Sequence, residues 1–122
     1  MQVGQKLSEA RKVLADGAFE HVPVVSGNKL VGMLSTSDIM RLTFDAGNAD
    51  LRSMDAVLDH QFALQEVMRK DLLTVAPTDT VRHAAELLVK GSHQTVSVVE
   101  EGDTLVGIVT STDLIRYLLE QY

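Results

Sequence analysis

The feature that most constrains this chain is a pattern written twice. Leu105-Val106-Gly107-Ile108-Val109-Thr110-Ser111-Thr112-Asp113-Leu114-Ile115-Arg116 echoes Leu30-Val31-Gly32-Met33-Leu34-Ser35-Thr36-Ser37-Asp38-Ile39-Met40-Arg41, with the Gly, hydroxyl, Asp and Arg each displaced by the same interval. Each copy opens with an apolar run holding β-branched residues and closes with an apolar pattern of helical period, so it spells a strand running into a helix. At 122 residues the chain is long enough for one domain that buries about two-thirds of its unfolded surface. Neither copy alone is, so the two units must fold together.

The chemistry sits at the strand-to-helix junction. A Ser or Thr followed three residues later by an acid is a helix start: the hydroxyl accepts from an early backbone N–H while the carboxylate lies near the positive end of the dipole. Taken singly, Thr110 with Asp113 reads as such a capping box. The duplication adds a functional reading, because two helix N-termini with free N–H groups are two candidate anion sites. A carboxylate there would repel a phosphate, so Asp38 or Asp113 is better used to accept hydrogen bonds from neutral hydroxyls, as on a ribose. Such bonds to a charged group are worth roughly 1.5 to 3 kcal/mol each.

Repeat, order and junction together resemble the two CBS motifs of a Bateman module, over roughly Val3 to Leu42 and Leu64 to Leu118. The resemblance implies an α/β (α+β) fold of two βαββα repeats packed with pseudo-twofold symmetry. It divides the chain into repeat 1 over 3–42, an acidic linker with a helix over 43–63, and repeat 2 over 64–120. It also implies binding of AMP, ADP, ATP or S-adenosylmethionine in clefts, with no required cofactor; the alternative within the same family is a ligand-free module used for dimerisation or protein interaction. In the second cleft the adenine would lie against the backbone of Thr74, Val75 and Ala76 and of Thr95, Val96 and Ser97. Asp113 would meet the ribose hydroxyls, with Thr110 and Thr112 beside ribose or phosphate. Ser35 and Asp38 are the first-repeat counterparts. Some nucleotide-binding members carry a basic residue before the Val-Pro-Val segment, which puts His21 near a phosphate; the other reading is a strand-end histidine without a ligand. Thr95 stands at the matching position, so the clefts would differ. Modules of this kind associate through their helices, which implies a homodimer, and they regulate a further protein that the resemblance does not name.

Taken in order, the first repeat departs from the family pattern, since only Val3 stands where an opening strand is expected, against Leu72 to Pro77 in the second. That strand is therefore missing or truncated, and the second cleft is expected to be the better one. Leu7 to Asp16 has helical period with Leu7, Ala10, Val13 and Leu14 on one face. Gly17 ends it. Phe19 to Val25 reads as a strand at a sheet edge because Pro23 has no N–H to donate. Ser26-Gly27-Asn28-Lys29 is a hairpin turn, followed by a strand over Leu30 to Leu34 and a helix over Ile39 to Phe44. Asp45 to Asp50 is a loop, and Leu51 to about His60 a helix whose stripe of Leu51, Met54, Val57 and Leu58 is either a solvated connector or a dimer contact. Leu64 to Met68 is a short helical turn. Arg69 and Lys70 are solvated charges or face a phosphate. Thr78 or Asp79 caps a helix with Val81, Ala84, Ala85 and Leu88 inward, ending at Gly91. Thr95 to Val99 is a strand and Glu100 to Asp103 a turn one residue longer than its upstream partner. The last helix, from Ser111 or Thr112 to about Glu120, should bury Leu114, Ile115, Leu118 and Leu119, with Val89, Val98 and Val109 in the core.

Composition narrows the function. A formal charge of −6 disfavours a nucleic-acid surface, which wants clustered Lys and Arg. There is no Cys, hence no disulfide framework and no thiolate chemistry. No apolar run nears the roughly 20 residues of a membrane span, and the N-terminus lacks a secretion signal, so a cytoplasmic location is expected. His21, His60, His83 and His93 lack metal-ligand spacing. No nucleophile stands beside a base and there is no phosphate-cradling Walker loop, so an enzyme is not expected and no metal site is assigned.

Overall fold

The structure, a computed structural model, describes residues 1–17, 20–45, 51–91 and 94–122, and for 43–45 and 51–54 the backbone alone. Two compact units emerge, 1–27 with 31–70 and 28–30 with 71–122. The first holds helix α1 (Leu7–Gly17), strand β1 (His21–Ser26), most of β2 (Lys29–Ser35), and helices α2 (Thr36–Asp45), α3 (Leu51–Gln61) and α4 (Leu64–Val67). The second holds β3 (Thr74–Val75), α5 (Val81–Lys90), β4 (Thr95–Glu100), a 3-10 turn over Glu101–Asp103, β5 (Thr104–Thr110) and α6 (Ser111–Glu120). Five strands with helices make the fold mixed α+β.

In the first unit α1 buries Leu7, Ala10 and Leu14, the i, i+3, i+7 stripe of one helix face. Val13, expected on that face, is exposed. It lies about 100° around the helix from Leu14, outside the stripe. The core adds Val22, Val24, Leu34, Ile39, Leu58, Leu64 and Met68.

Leu58 bears on both readings of the linker. Its side chain is fully buried in the core of the first unit, so Leu58 itself neither faces solvent nor is free to meet a second copy. Polar contacts fasten α3 to α1 on either side. Asp59 accepts from the Ser8 N–H at 2.9 Å and from the Ser8 hydroxyl at 2.6 Å. Arg11 donates from Nε and Nη2 to the two Asp55 oxygens at 2.6 and 2.8 Å. That fork holds the guanidinium pKa above its ordinary value. The expected residues Leu51 and Met54 lie outside the described side chains, as do Phe19 and residues 46–50 of the loop. Helix α2 begins earlier than expected, at Thr36, and runs through Asp45.

A short pairing stands where the opening strand of the first repeat is expected. Val25 donates to the Met1 carbonyl at 2.8 Å and Val3 donates to Val25 at 2.9 Å, giving a parallel bridge of Gln2 with Val25. In the second unit β3 pairs parallel with β4, Thr74 with Ser97 and Val75 with Val98. Val25 follows Gln2 in the chain by the same interval at which Ser97 follows Thr74 and Val98 follows Val75. The short N-terminal piece therefore repeats the pairing of β3 in the same register.

Within the second unit β4 lies between β3 and β5. Its antiparallel ladder to β5 runs from Thr95 opposite Thr110 to Glu100 opposite Thr104, with an irregularity at Val98 and Val99. The longer turn places both Gly102 and Asp103 at positive φ, 79° and 63°, where the upstream turn needs only Gly27 at 64°. Two sequence expectations fail here. The cap of α5 is Thr80 rather than Thr78 or Asp79: its hydroxyl accepts from the His83 N–H at 3.0 Å, three residues on, while Asp79 accepts from Ala76 N–H in the preceding turn. The apolar faces of α5 and α6 are also more open than expected. Ala84 is buried, but Val81, Val89, Ile115, Leu118 and Leu119 are exposed, and Val98 and Val109 only half-buried. Among the described residues of this unit no helix lies across α5 as α3 lies across α1.

Candidate functional site

Both repeated junctions form the capping box that their sequence spells. In the first unit Asp38 accepts from the Ser35 N–H at 3.1 Å and its own N–H donates to the Ser35 hydroxyl at 3.1 Å. In the second, Asp113 accepts from the Thr110 N–H at 2.8 Å and donates to the Thr110 hydroxyl at 3.1 Å. Here the capping reading and the site reading coexist, because each box uses one carboxylate oxygen and leaves the other.

What the second oxygen meets differs. Asp38 is 6% exposed, and its Oδ1 faces Arg69 Nε at 3.5 Å and Arg41 Nη2 at 4.0 Å. Arg69 is brought there by backbone, since Met33 and Arg69 exchange hydrogen bonds at 3.0 and 2.8 Å across an isolated antiparallel bridge. That crossing explains Gly32. A Cβ there would come within 2.7 Å of Met68 Cγ and 3.1 Å of the Arg69 carbonyl, whereas one on Gly107 meets nothing within 4 Å. His21, half-buried at the start of β1, completes this corner. Burial lowers its pKa; Glu20 and Asp38 pull it up and Arg69 pushes it down. His21 and Arg69 are thus within electrostatic reach of Asp38.

Asp113 is 44% exposed on its side chain, with Arg116 at 3.3 Å from Oδ1. The hydrogen bond from the Thr110 N–H is the main reason that its pKa lies below the ordinary carboxylate range. Around it the ladder gathers the residues named from sequence. Opposed residues share a sheet face, and side chains alternate along a strand. Thr74, Thr95, Ser97, Ile108 and Thr110 therefore lie on one face of β3, β4 and β5, and Val75 and Val96 on the other. Thr95 and Ser97 are buried, and neither hydroxyl has a hydrogen-bond partner among the described residues. Val96 is fully buried on the opposite face, leaving only its backbone for a ligand on the hydroxyl face. The Ala76 N–H is taken by Asp79. Thr112 is exposed in the first turn of α6. Arg41 was not singled out from the sequence, although it is the Arg of the repeated pattern; the position of Arg69 depends on a bridge that no local pattern announces.

The sequence profile described as CBS domain matches residues 2–45 and 64–120. The chain belongs to the CBS-domain family. It is a tandem CBS module, with one match in each repeat. Among curated proteins it is similar to the uncharacterized protein MJ1225 of Methanocaldococcus jannaschii, 25% identical over 115 residues that cover 93% of this chain and 41% of that protein. The module thus spans about two-fifths of that relative's length. Among solved structures it resembles the CBS domain pair of protein MJ0100 in complex with 5-methylthioadenosine and S-adenosyl-L-methionine, with TM-score 0.77, 26% identity, and coverage of 99% of this chain and 87% of that one. CBSX2 in complex with AMP has the same fold, at TM-score 0.80 and 22% identity, covering 99% of this chain and 87% of that one. No described helix of the CBS module is long and apolar enough to cross a membrane, and no group of three potential metal ligands occurs among the described residues.

Proposed function

We propose that the chain is a regulatory module that binds an adenosine-containing ligand, AMP, ADP, ATP or S-adenosylmethionine, and passes its presence to a further protein without catalysing a reaction or needing a cofactor. The observation that carries this is the pairing of a half-exposed, ionised Asp113 with a sheet face that carries the buried hydroxyls of Thr95 and Ser97, which have no hydrogen-bond partner among the described residues. A half-exposed carboxylate with one oxygen tied to Thr110 and the other met only by the exposed Arg116 suits a ribose diol, and buried hydroxyls suit the ring nitrogens of a purine. Thr74, Val75, Ala76, Thr95, Val96, Ser97, Thr110, Thr112 and Asp113 form the proposed site. Ser35, Asp38 and His21 form a second corner, where Arg69 and Arg41 offset the carboxylate and favour a phosphate. MJ0100 in complex with 5-methylthioadenosine and S-adenosyl-L-methionine, and CBSX2 in complex with AMP, support the ligand class.

Thermal unfolding with each of the four ligands tests this. A ligand at one hundred times its dissociation constant stabilises by about 2.7 kcal/mol, a shift of several degrees for a domain of this size. Failure of all four to move the melting temperature, together with Asp113→Ala behaving as wild type, would overturn the ligand reading. We further propose a homodimer. The exposed apolar side chains of α5 and α6 favour it.

A further inference from the structure

Away from both capping boxes, the first unit holds a cavity of about 400 Å³ between residues 3–6, which lead into α1, and residues 59–66, which run from the end of α3 into α4. It shares no residue with either junction or with the hydroxyl-bearing sheet face. Its size falls within the range of small-molecule sites. Leu64, 2% exposed, gives the lining an apolar part together with the half-buried Phe62.

One polar group of the lining is already committed, since Asp59 holds Ser8 with both of its oxygens. Lys6, His60, Gln61, Gln65 and Glu66 differ: no hydrogen bond or ion pair engages their side chains among the described residues. Lys6 departs furthest from its repeat counterpart. The displacement that carries Gly17 onto Gly91 carries Lys6 onto Thr80, the residue that caps α5. A lysine has no acceptor with which to cap, and its cation stands beside the positive end of α1. The helix start is secured instead by Asp59, which accepts from the Ser8 N–H at 2.9 Å. Departures from local rules that bring no structural return gather at functional sites. A cation that bonds nothing in its own chain is placed to meet an anionic group from outside it. The carboxylate of Glu66, on the other segment of the lining, is equally placed to meet a cationic one.

We infer that this cavity is a further ligand site that takes a free α-amino acid. Lys6 receives the carboxylate, Glu66 the ammonium, and the amides of Gln61 and Gln65 the polar end of the side chain, with Leu64 against its carbon chain. The inference goes beyond the adenosine reading and does not depend on it.

Thermal unfolding of the full chain with each of the protein amino acids in turn tests it. At about 10 mM, one hundred times a dissociation constant of about 0.1 mM, a bound amino acid should raise the melting temperature by several degrees. The one that shifts it most is then titrated calorimetrically. Lys6→Ala and Glu66→Ala should each weaken binding at least about 10-fold, the loss of hydrogen bonds to a charged group. Acetylating the amino group of that amino acid should cost the wild type a similar factor and Glu66→Ala nothing further, because the ammonium and its partner act as one pair. Lys6→Ala should leave the free chain as stable as wild type or slightly more so, since it removes a cation from the positive end of a helix. Lys12→Ala, at an exposed cation of α1 outside the cavity, should leave affinity unchanged. A melting temperature that no amino acid moves would overturn the inference, as would binding that survives both cavity variants or that Lys12→Ala weakens as much. Lost stability of the free chain in Lys6→Ala would overturn it too, by making that side chain structural. None of these outcomes bears on the adenosine reading.

Discussion

Ser35 with Asp38 and Thr110 with Asp113 are one capping box in two settings, with matching hydrogen bonds and different surroundings. The first carboxylate is enclosed beside Arg69, Arg41 and His21, and the second is open beside a hydroxyl-lined sheet face. The local motif fixes the helix start in both repeats. The residues that lie outside the repeated pattern decide what the carboxylate is left to do. Arg69 is the clearest case, since its backbone bridge to Met33 both delivers a guanidinium to Asp38 and crowds the space a Cβ would take at position 32. Gly107, its repeat partner, has no such neighbour.

The sharpest way to break the comparison is at the first position of α1 and of α5. Leu7 is 1% exposed and Val81 47%. Leu7→Ala should cost about 2 to 5 kcal/mol and Val81→Ala under about 1 kcal/mol in denaturant unfolding, because only the first leaves a cavity. Equal losses would mean that the two repeats are covered alike. The paired glycines come next. Gly32→Ala should destabilise by about 1 to 3 kcal/mol as Met68 and the Arg69 backbone are pushed away, while Gly107→Ala should stay within about 0.5 kcal/mol. Matching values would remove the argument that the Arg69 crossing shapes the first corner.

A smaller effect separates His21 from Thr95. Burial keeps the folded imidazole below its ordinary value near about 6.5, so on acidification the unfolded chain takes up this proton first. The stability contributed by the neutral ring is complete above about pH 6.5 and is lost as the pH falls through the lower folded value. Unfolding midpoints between about pH 7 and 5 should therefore fall less steeply in His21→Gln than in wild type. Parallel slopes would show that the first corner does not bury this ring.

Much of this was legible in the sequence for one physical reason. Capping boxes, turn glycines and the stripe of Leu7, Ala10 and Leu14 are local, and a nearly constant displacement along the chain carries most of them from one repeat to the other. What escaped is non-local. Nothing near Leu58 says that α3 turns back onto α1, since an apolar stripe reads the same whether it meets its own domain or another chain. The same ambiguity placed Ile115, Leu118 and Leu119 inward when they are exposed. The cap of α5 falls within a run, Thr78-Asp79-Thr80, in which every residue is a competent cap; the selection rests on which one stands three residues before His83. At the site, the order and face of Thr74, Thr95, Ser97 and Thr110 follow from strand alternation once the register is known. The guanidinium beside Asp38 required the fold.

Calorimetric titration of whichever adenosine ligand gives the largest thermal shift, into wild type, Asp113→Ala and Asp38→Ala, tests the central claim that the exposed junction takes a ligand and the buried one does not. Losing hydrogen bonds to an ionised acceptor should weaken binding by Asp113→Ala roughly 10-fold to 150-fold. Asp38→Ala should alter affinity far less while lowering the melting temperature. An unchanged affinity in Asp113→Ala, or a larger loss in Asp38→Ala, would contradict the account.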